Sequence, residues 1–173
     1  IANGTIKLDG NYPTGSNNIA LGNQALDSGS LSGANNTAIG PASLTSNTSG
    51  ANNVSVGYNS LFTNTTASGN TALGVSSMQS NESGENNVAV GLCAMCANTT
   101  GSNNVAIGRR SLDANTTGAS NTAVGQSALL LNTTASDNTA VGFVSLKDNT
   151  TGTRNSSVGC GALSNNTTAS SNT

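Results

Sequence analysis

Hydrophobic positions in this chain come in short bursts separated by polar turns, and the bursts repeat. Within a burst the pattern alternates with period two, as in Asn53-Val54-Ser55-Val56-Gly57 and Asn104-Val105-Ala106-Ile107-Gly108. Such alternation is strand geometry, and β-branched residues at alternate places reinforce it. The segment Gly50-Ala51-Asn52-Asn53-Val54-Ser55-Val56-Gly57 returns as Gly84-Glu85-Asn86-Asn87-Val88-Ala89-Val90-Gly91, and again as Gly101-Ser102-Asn103-Asn104-Val105-Ala106-Ile107-Gly108. The closing glycines are Gly22, Gly40, Gly57, Gly74, Gly91, Gly108, Gly125, Gly142 and Gly159, 18 residues apart at the first step and 17 thereafter.

A fixed period of this kind marks a repeat architecture. Four places after each closing glycine stands a long aliphatic: Leu26, Leu44, Leu61, Met78, Met95, Leu112, Leu129, Leu146 and Leu163. One place before it stands another: Leu21, Ile39, Val56, Leu73, Val90, Ile107, Val124, Val141 and Val158. The spacing predicts two short strands and two turns per unit, the second strand carrying the leucine. One unit buries nothing alone, but stacked units turn both apolar positions into continuous ladders that form a core. The expected fold is therefore all-β, a parallel β-solenoid (β-roll) of about nine to ten 17-residue coils over residues 15–173. At ~4.8 Å per coil the rod would be roughly 45 Å long. Helix is disfavoured by the Gly, Asn, Thr and Ser in every unit. Residues 1–14 precede the pattern and are expected to form an N-terminal cap or an inter-subunit strand, with Tyr12-Pro13 at the boundary.

Composition narrows the function. Only 2% of the 173 residues are aromatic, so burial must come from small aliphatic side chains repeated many times. The chain has no His, which removes the commonest general base and the Ser/His and Cys/His pairs. Its acidic residues are scattered without a repeated pair. We therefore expect no enzyme, and assign no catalytic, cofactor-binding or metal-binding residue and no cofactor. With five basic and seven acidic residues there is no basic stripe for nucleic acid. No apolar run approaches the ~20 residues of a membrane span. Of the three cysteines, Cys93 and Cys96 are spaced for a local disulfide or two plain thiols. Cys160 lies four coils away, roughly 19 Å, beyond an intrachain disulfide with either but free to pair with another chain.

Two asparagine columns run through the repeat. In the first, Asn18, Asn36, Asn53, Asn70, Asn87, Asn104, Asn121, Asn138, Asn155 and Asn172 stack in register. Their amides are expected either to hydrogen-bond along the column or simply to form turns. In the second, Asn47, Asn64, Asn81, Asn98, Asn115, Asn132, Asn149 and Asn166 each head an Asn-Xaa-Ser/Thr sequon, as in Asn98-Thr99-Thr100. On exposed turns these are candidate acceptors for covalent N-glycans; the alternative is a set of structural turns. Further sequons begin at Asn3, Asn35, Asn53, Asn155 and Asn165.

At Asn-(Thr/Val)-Ala-(Val/Ile)-Gly followed by Xaa-Xaa-(Ser/Ala)-Leu, plain in Asn121-Thr122-Ala123-Val124-Gly125, residues 15–173 resemble two groups of proteins. One is the head domain of trimeric autotransporter adhesins. The other is the repetitive region of phage-like tail fibres and bacterial surface proteins. The resemblance implies a parallel β-roll, often three chains around an axis, used for attachment or as a spacer; the unit here is longer than the coils typical of the adhesin heads. The last unit stops at Asn172-Thr173, and an open coil edge invites continuation of the rod or head-to-tail packing. We therefore expect a structural rod segment of an extracellular fibre, filament or adhesin, at a cell or virion surface. Its partners would be further copies of itself, in a head-to-tail filament or a homotrimer. The alternative, from another class, is an ice-binding solenoid whose Asn and second Thr of each Asn-Thr-Thr share a face.

Overall fold

The structure is a computed structural model that describes residues 15–173; the expected cap at 1–14 lies outside the described residues. The nine Ala- or Ser-centred tripeptides become nine strands: β1 (Ile19–Leu21), β2 (Thr37–Ile39), β3 (Val54–Val56), β4 (Thr71–Leu73), β5 (Val88–Val90), β6 (Val105–Ile107), β7 (Thr122–Val124), β8 (Thr139–Val141) and β9 (Ser156–Val158). They form one sheet in chain order, every neighbouring pair parallel. Register follows the repeat, with Ala72 opposite Ala89 and Ala89 opposite Ala106. Each coil is thus a full turn of a β-solenoid, and backbone bonds hold it on both sides. The Val54 N–H donates to Asn70 O at 2.8 Å, and the Gly57 N–H to Ile39 O at 2.8 Å.

The expected second strand is absent among the described residues. The segment carrying the leucine is a chain of turns, with left-handed backbone two and four places after the closing glycine. Arg110 has φ 55° and Leu112 has φ 52°; Ser127 and Leu129 repeat the pair at 57° and 51°. Left-handed φ curls the chain tightly enough to return the coil within 17 residues, at a cost of roughly 1–2 kcal/mol for each non-glycine residue so placed. Burial of the leucine side chain, about 1.5–3 kcal/mol, offsets it.

The core also has the opposite phase to the expected one. The central residue of each strand points inward: Ala38, Ala72, Ala89, Ala106, Ala123 and Ala140 are wholly buried, with Ser55 and Ser157 in equivalent places. The aliphatics before the closing glycine point outward; Ile39, Leu73 and Ile107 are exposed, and Val90 and Val124 half-exposed. The physical reason is width. A coil of 17 residues is so narrow that a methyl group fills the space between the sheet and the opposite wall, and one Leu or Met per coil occupies the rest. Where the inward strand residue is Ser, it meets Ser across the core: Ser43 Oγ lies 2.7 Å from Ser55 Oγ, and Ser145 Oγ 2.8 Å from Ser157 Oγ.

Candidate functional site

Both asparagine columns lie inside the solenoid and share one acceptor. Asn104 Nδ2 donates to Gly118 O at 2.9 Å, and Asn115 Nδ2 reaches the same carbonyl at 3.0 Å. The pattern recurs at Gly50 O, held by Asn36 and Asn47, and at Ala135 O, held by Asn121 and Asn132. In the first column Oδ1 accepts the backbone N–H of the asparagine one coil on, as in Asn121 N to Asn104 Oδ1 at 2.9 Å. In the second, Nδ2 also donates to Oδ1 of the asparagine one coil back: Asn98 to Asn81 at 2.7 Å, Asn115 to Asn98 at 2.9 Å. Each amide thus meets buried backbone groups that would otherwise lack partners.

This overturns the expected exposed turn at these sequons. Asn47, Asn64, Asn81, Asn98, Asn115, Asn132 and Asn149 are wholly buried. Nδ2, the atom that would carry a sugar, is hydrogen-bonded in the interior. Asn166 is partly buried and donates to Asn149 Oδ1 in the same way. Of the scattered sequons, Asn53 and Asn155 are buried and Asn35 and Asn165 exposed, while Asn3 lies outside the described residues. Intact mass and peptide mapping before and after N-glycan removal should find the seven buried asparagines unmodified. A glycan on any of them would contradict the inward orientation.

The same geometry removes the expected shared Asn and Thr face. The asparagine points in and the second Thr, as at Thr100, Thr117 and Thr134, points out. The intervening Thr bonds the next coil, Thr99 Oγ1 donating to Thr116 O at 3.0 Å.

The surface carries two other features. The first is the outer face of the sheet. No strand contains a charged residue, and both outward positions of every strand are aliphatic, Thr or Ser. At ~4.8 Å per strand and ~3.3 Å per residue the face measures about 43 by 10 Å. Exposed apolar residues, Tyr58, Val75, Leu92 and Phe143, stand on the adjoining turns.

The second is a break in the repeat. Cys93 and Cys96 lie in one coil, and Arg110 and Asp113 occupy the equivalent places in the next. The thiols are half-buried with Sγ atoms 2.9 Å apart, and Cys96 Sγ lies 3.1 Å from Ser76 O. Arg110 Nε donates to Asp113 Oδ2 at 2.8 Å, and that bond raises the already high guanidinium pKa. Burial pushes the Cys96 thiol well above its ordinary range, and the hydrogen bond with Cys93 adds to the effect. Cys96 is therefore protonated at neutral pH, and no disulfide joins it to Cys93. Among the described residues no helix is long and apolar enough to cross a membrane.

Comparison with known proteins found no matching family model, no matching curated protein and no matching solved structure.

Proposed function

We propose that this chain is a rod segment of an extracellular fibre or surface adhesin, and that it associates with further copies of itself through the outer face of its sheet. The carrying observation is that face: about 400 Å² of uncharged, largely apolar surface along nine strands in strict register. The largest apolar patch on a soluble protein, about this size, is often a functional surface. Further copies suit it because the period matches: two rods of one coil height meet with the same side chains at every step. The resemblance of the Asn-Thr-Ala-Val-Gly coils to adhesin heads and tail-fibre repeats supports the same reading.

Sedimentation and multi-angle light scattering of the 173-residue chain test it. The wild type should exceed monomer mass, three copies indicating a closed trimer and an open-ended series a filament. A Val90→Lys/Ile107→Lys/Val124→Lys variant, altered only at outward positions, should become monomeric with an unchanged circular dichroism spectrum. A wild type that stays monomeric at high concentration sinks the proposal. Growth inhibition of ice by such a monomer would assign the same face to ice.

A further inference from the structure

We propose that Cys93, Cys96 and Asp113 form a binding site for one borderline-soft divalent metal ion, Zn²⁺ by preference, with the fourth position left to water or an external ligand. The two sulfurs and a carboxylate oxygen of Asp113 all lie within 4.8 Å of one another, and all three residues are half-buried. The solenoid itself makes the cluster. Cys93 and Cys96 are three residues apart on one turn segment, and the 17-residue step sets Asp113 directly over Cys96. In the neighbouring coils Ser76 and Gln79 stand in the cysteine places on one side, and Ser127 and Leu130 beyond Arg110 and Asp113 on the other, so the donor set occurs at one level of the rod.

The donor chemistry selects the ion. Two thiolates and a carboxylate suit Zn²⁺, whereas Ca²⁺ and Mg²⁺ require oxygen ligands throughout. With Zn–S bonds of about 2.3 Å, a tetrahedral ion holds its sulfurs roughly 3.8 Å apart. The thiols, 2.9 Å apart, would separate by under about 1 Å, a small side-chain rotation. Binding releases two protons to solvent, one from each thiol. The bound Zn²⁺, two thiolates and Asp113 carboxylate then carry a net charge of −1. Arg110, already on Asp113 Oδ2 at 2.8 Å, neutralises that charge and leaves the other carboxylate oxygen to the metal.

The test uses the reduced chain, freed of metal by a chelator, and Co²⁺ as a spectroscopic substitute. One equivalent of Co²⁺ should produce a tetrahedral visible band and a near-ultraviolet thiolate charge-transfer band, and Zn²⁺ should remove both. Cys96→Ser should abolish the charge-transfer band or halve it, Asp113→Asn should weaken Zn²⁺ binding by about tenfold or more, and Cys160→Ser should change nothing. Circular dichroism confirms that each variant folds. The proposal is overturned if the reduced wild type gives no thiolate band, if Cys96→Ser retains it in full, or if Cys160→Ser removes it. It is equally overturned if the reduced thiols only close to a Cys93–Cys96 disulfide in air and never hold Co²⁺.

Discussion

Asn104→Asp should be among the most damaging single substitutions in this chain, and the damage should grow with pH. The side chain is wholly buried at mid-rod. Its Nδ2 faces Gly118 O at 2.9 Å, and its Oδ1 accepts from Asn121 N at 2.9 Å and from Asn121 Nδ2 at 3.2 Å. A carboxylate keeps the accepting side but sets a negative oxygen against the Gly118 carbonyl. Breaking a buried polar arrangement in this way costs about 3–5 kcal/mol. Protonation restores a donor toward Gly118 O, so the folded state holds the introduced carboxyl above the unfolded value of roughly 3.9. Stability relative to wild type is then best retained below that value and lost as pH rises through the folded pKa. Thermal melts of both proteins at about pH 3 and pH 7 read this directly. An equal deficit at both values would mean that the amide does not face the carbonyl.

That prediction rests on the feature least visible in the sequence. The 17-residue step, the parallel stacking and the strand at Asn-Xaa-Ala-Val-Gly follow from the repeat of closing glycines from Gly40 to Gly159, and the structure has them. The inward direction was not legible, because hydrophobicity alone assigns Val90 and Ile107 to the core and Ala89 and Ala106 to either side. What decides is how narrow a 17-residue coil is, a property of the closed turn and not of any residue in it. The leucine was rightly placed inside, but its backbone was misread as strand; Leu112 at φ 52° belongs to a conformation that no side-chain pattern announces.

The asparagines carried a signal that turn propensity obscured. In the second column Asn recurs unchanged from Asn47 to Asn166, while the position before it varies among Ser46, Thr63, Ala97, Leu131 and Asp148. An exposed turn accepts Asp, Ser or Gly in place of Asn. Strict repetition beside such variation indicates a group with both donor and acceptor in use. The position three places further on, always Gly or Ala from Gly50 to Ala169, is the matching constraint, since its carbonyl receives two amides. The cluster at Cys93, Cys96 and Asp113 was legible only in part. The cysteine spacing stood out, but Asp113 joins it solely through the stacking step, and until the coil length is known a residue 17 places away has no reason to be a neighbour.

The closing glycines show how stacking multiplies a local constraint, and two of them separate its terms. Gly108 has φ 135°, a region that L side chains rarely adopt, and a Cβ there would lie 2.6 Å from both C and O of Gly125 in the coil above. In the 173-residue chain Gly159 has nearly the same backbone, φ 130°, but the place one coil on, 176, lies beyond Thr173, and a Cβ at Gly159 meets nothing closer than Ala162 Cβ at 3.8 Å. Gly159→Ala should therefore cost only the conformational strain, about 1–3 kcal/mol. Gly108→Ala adds a collision with main chain that cannot rotate away, so two coils must part. In a rod where each unit touches only its neighbours, parting them removes the coupling between the halves. The expected result is that Gly159→Ala melts as one transition slightly below wild type. Gly108→Ala should instead melt several degrees lower in two steps, with limited proteolysis cutting between Gly108 and Gly125. Equal losses in the two variants would mean that strain alone, and not contact between coils, keeps this column glycine.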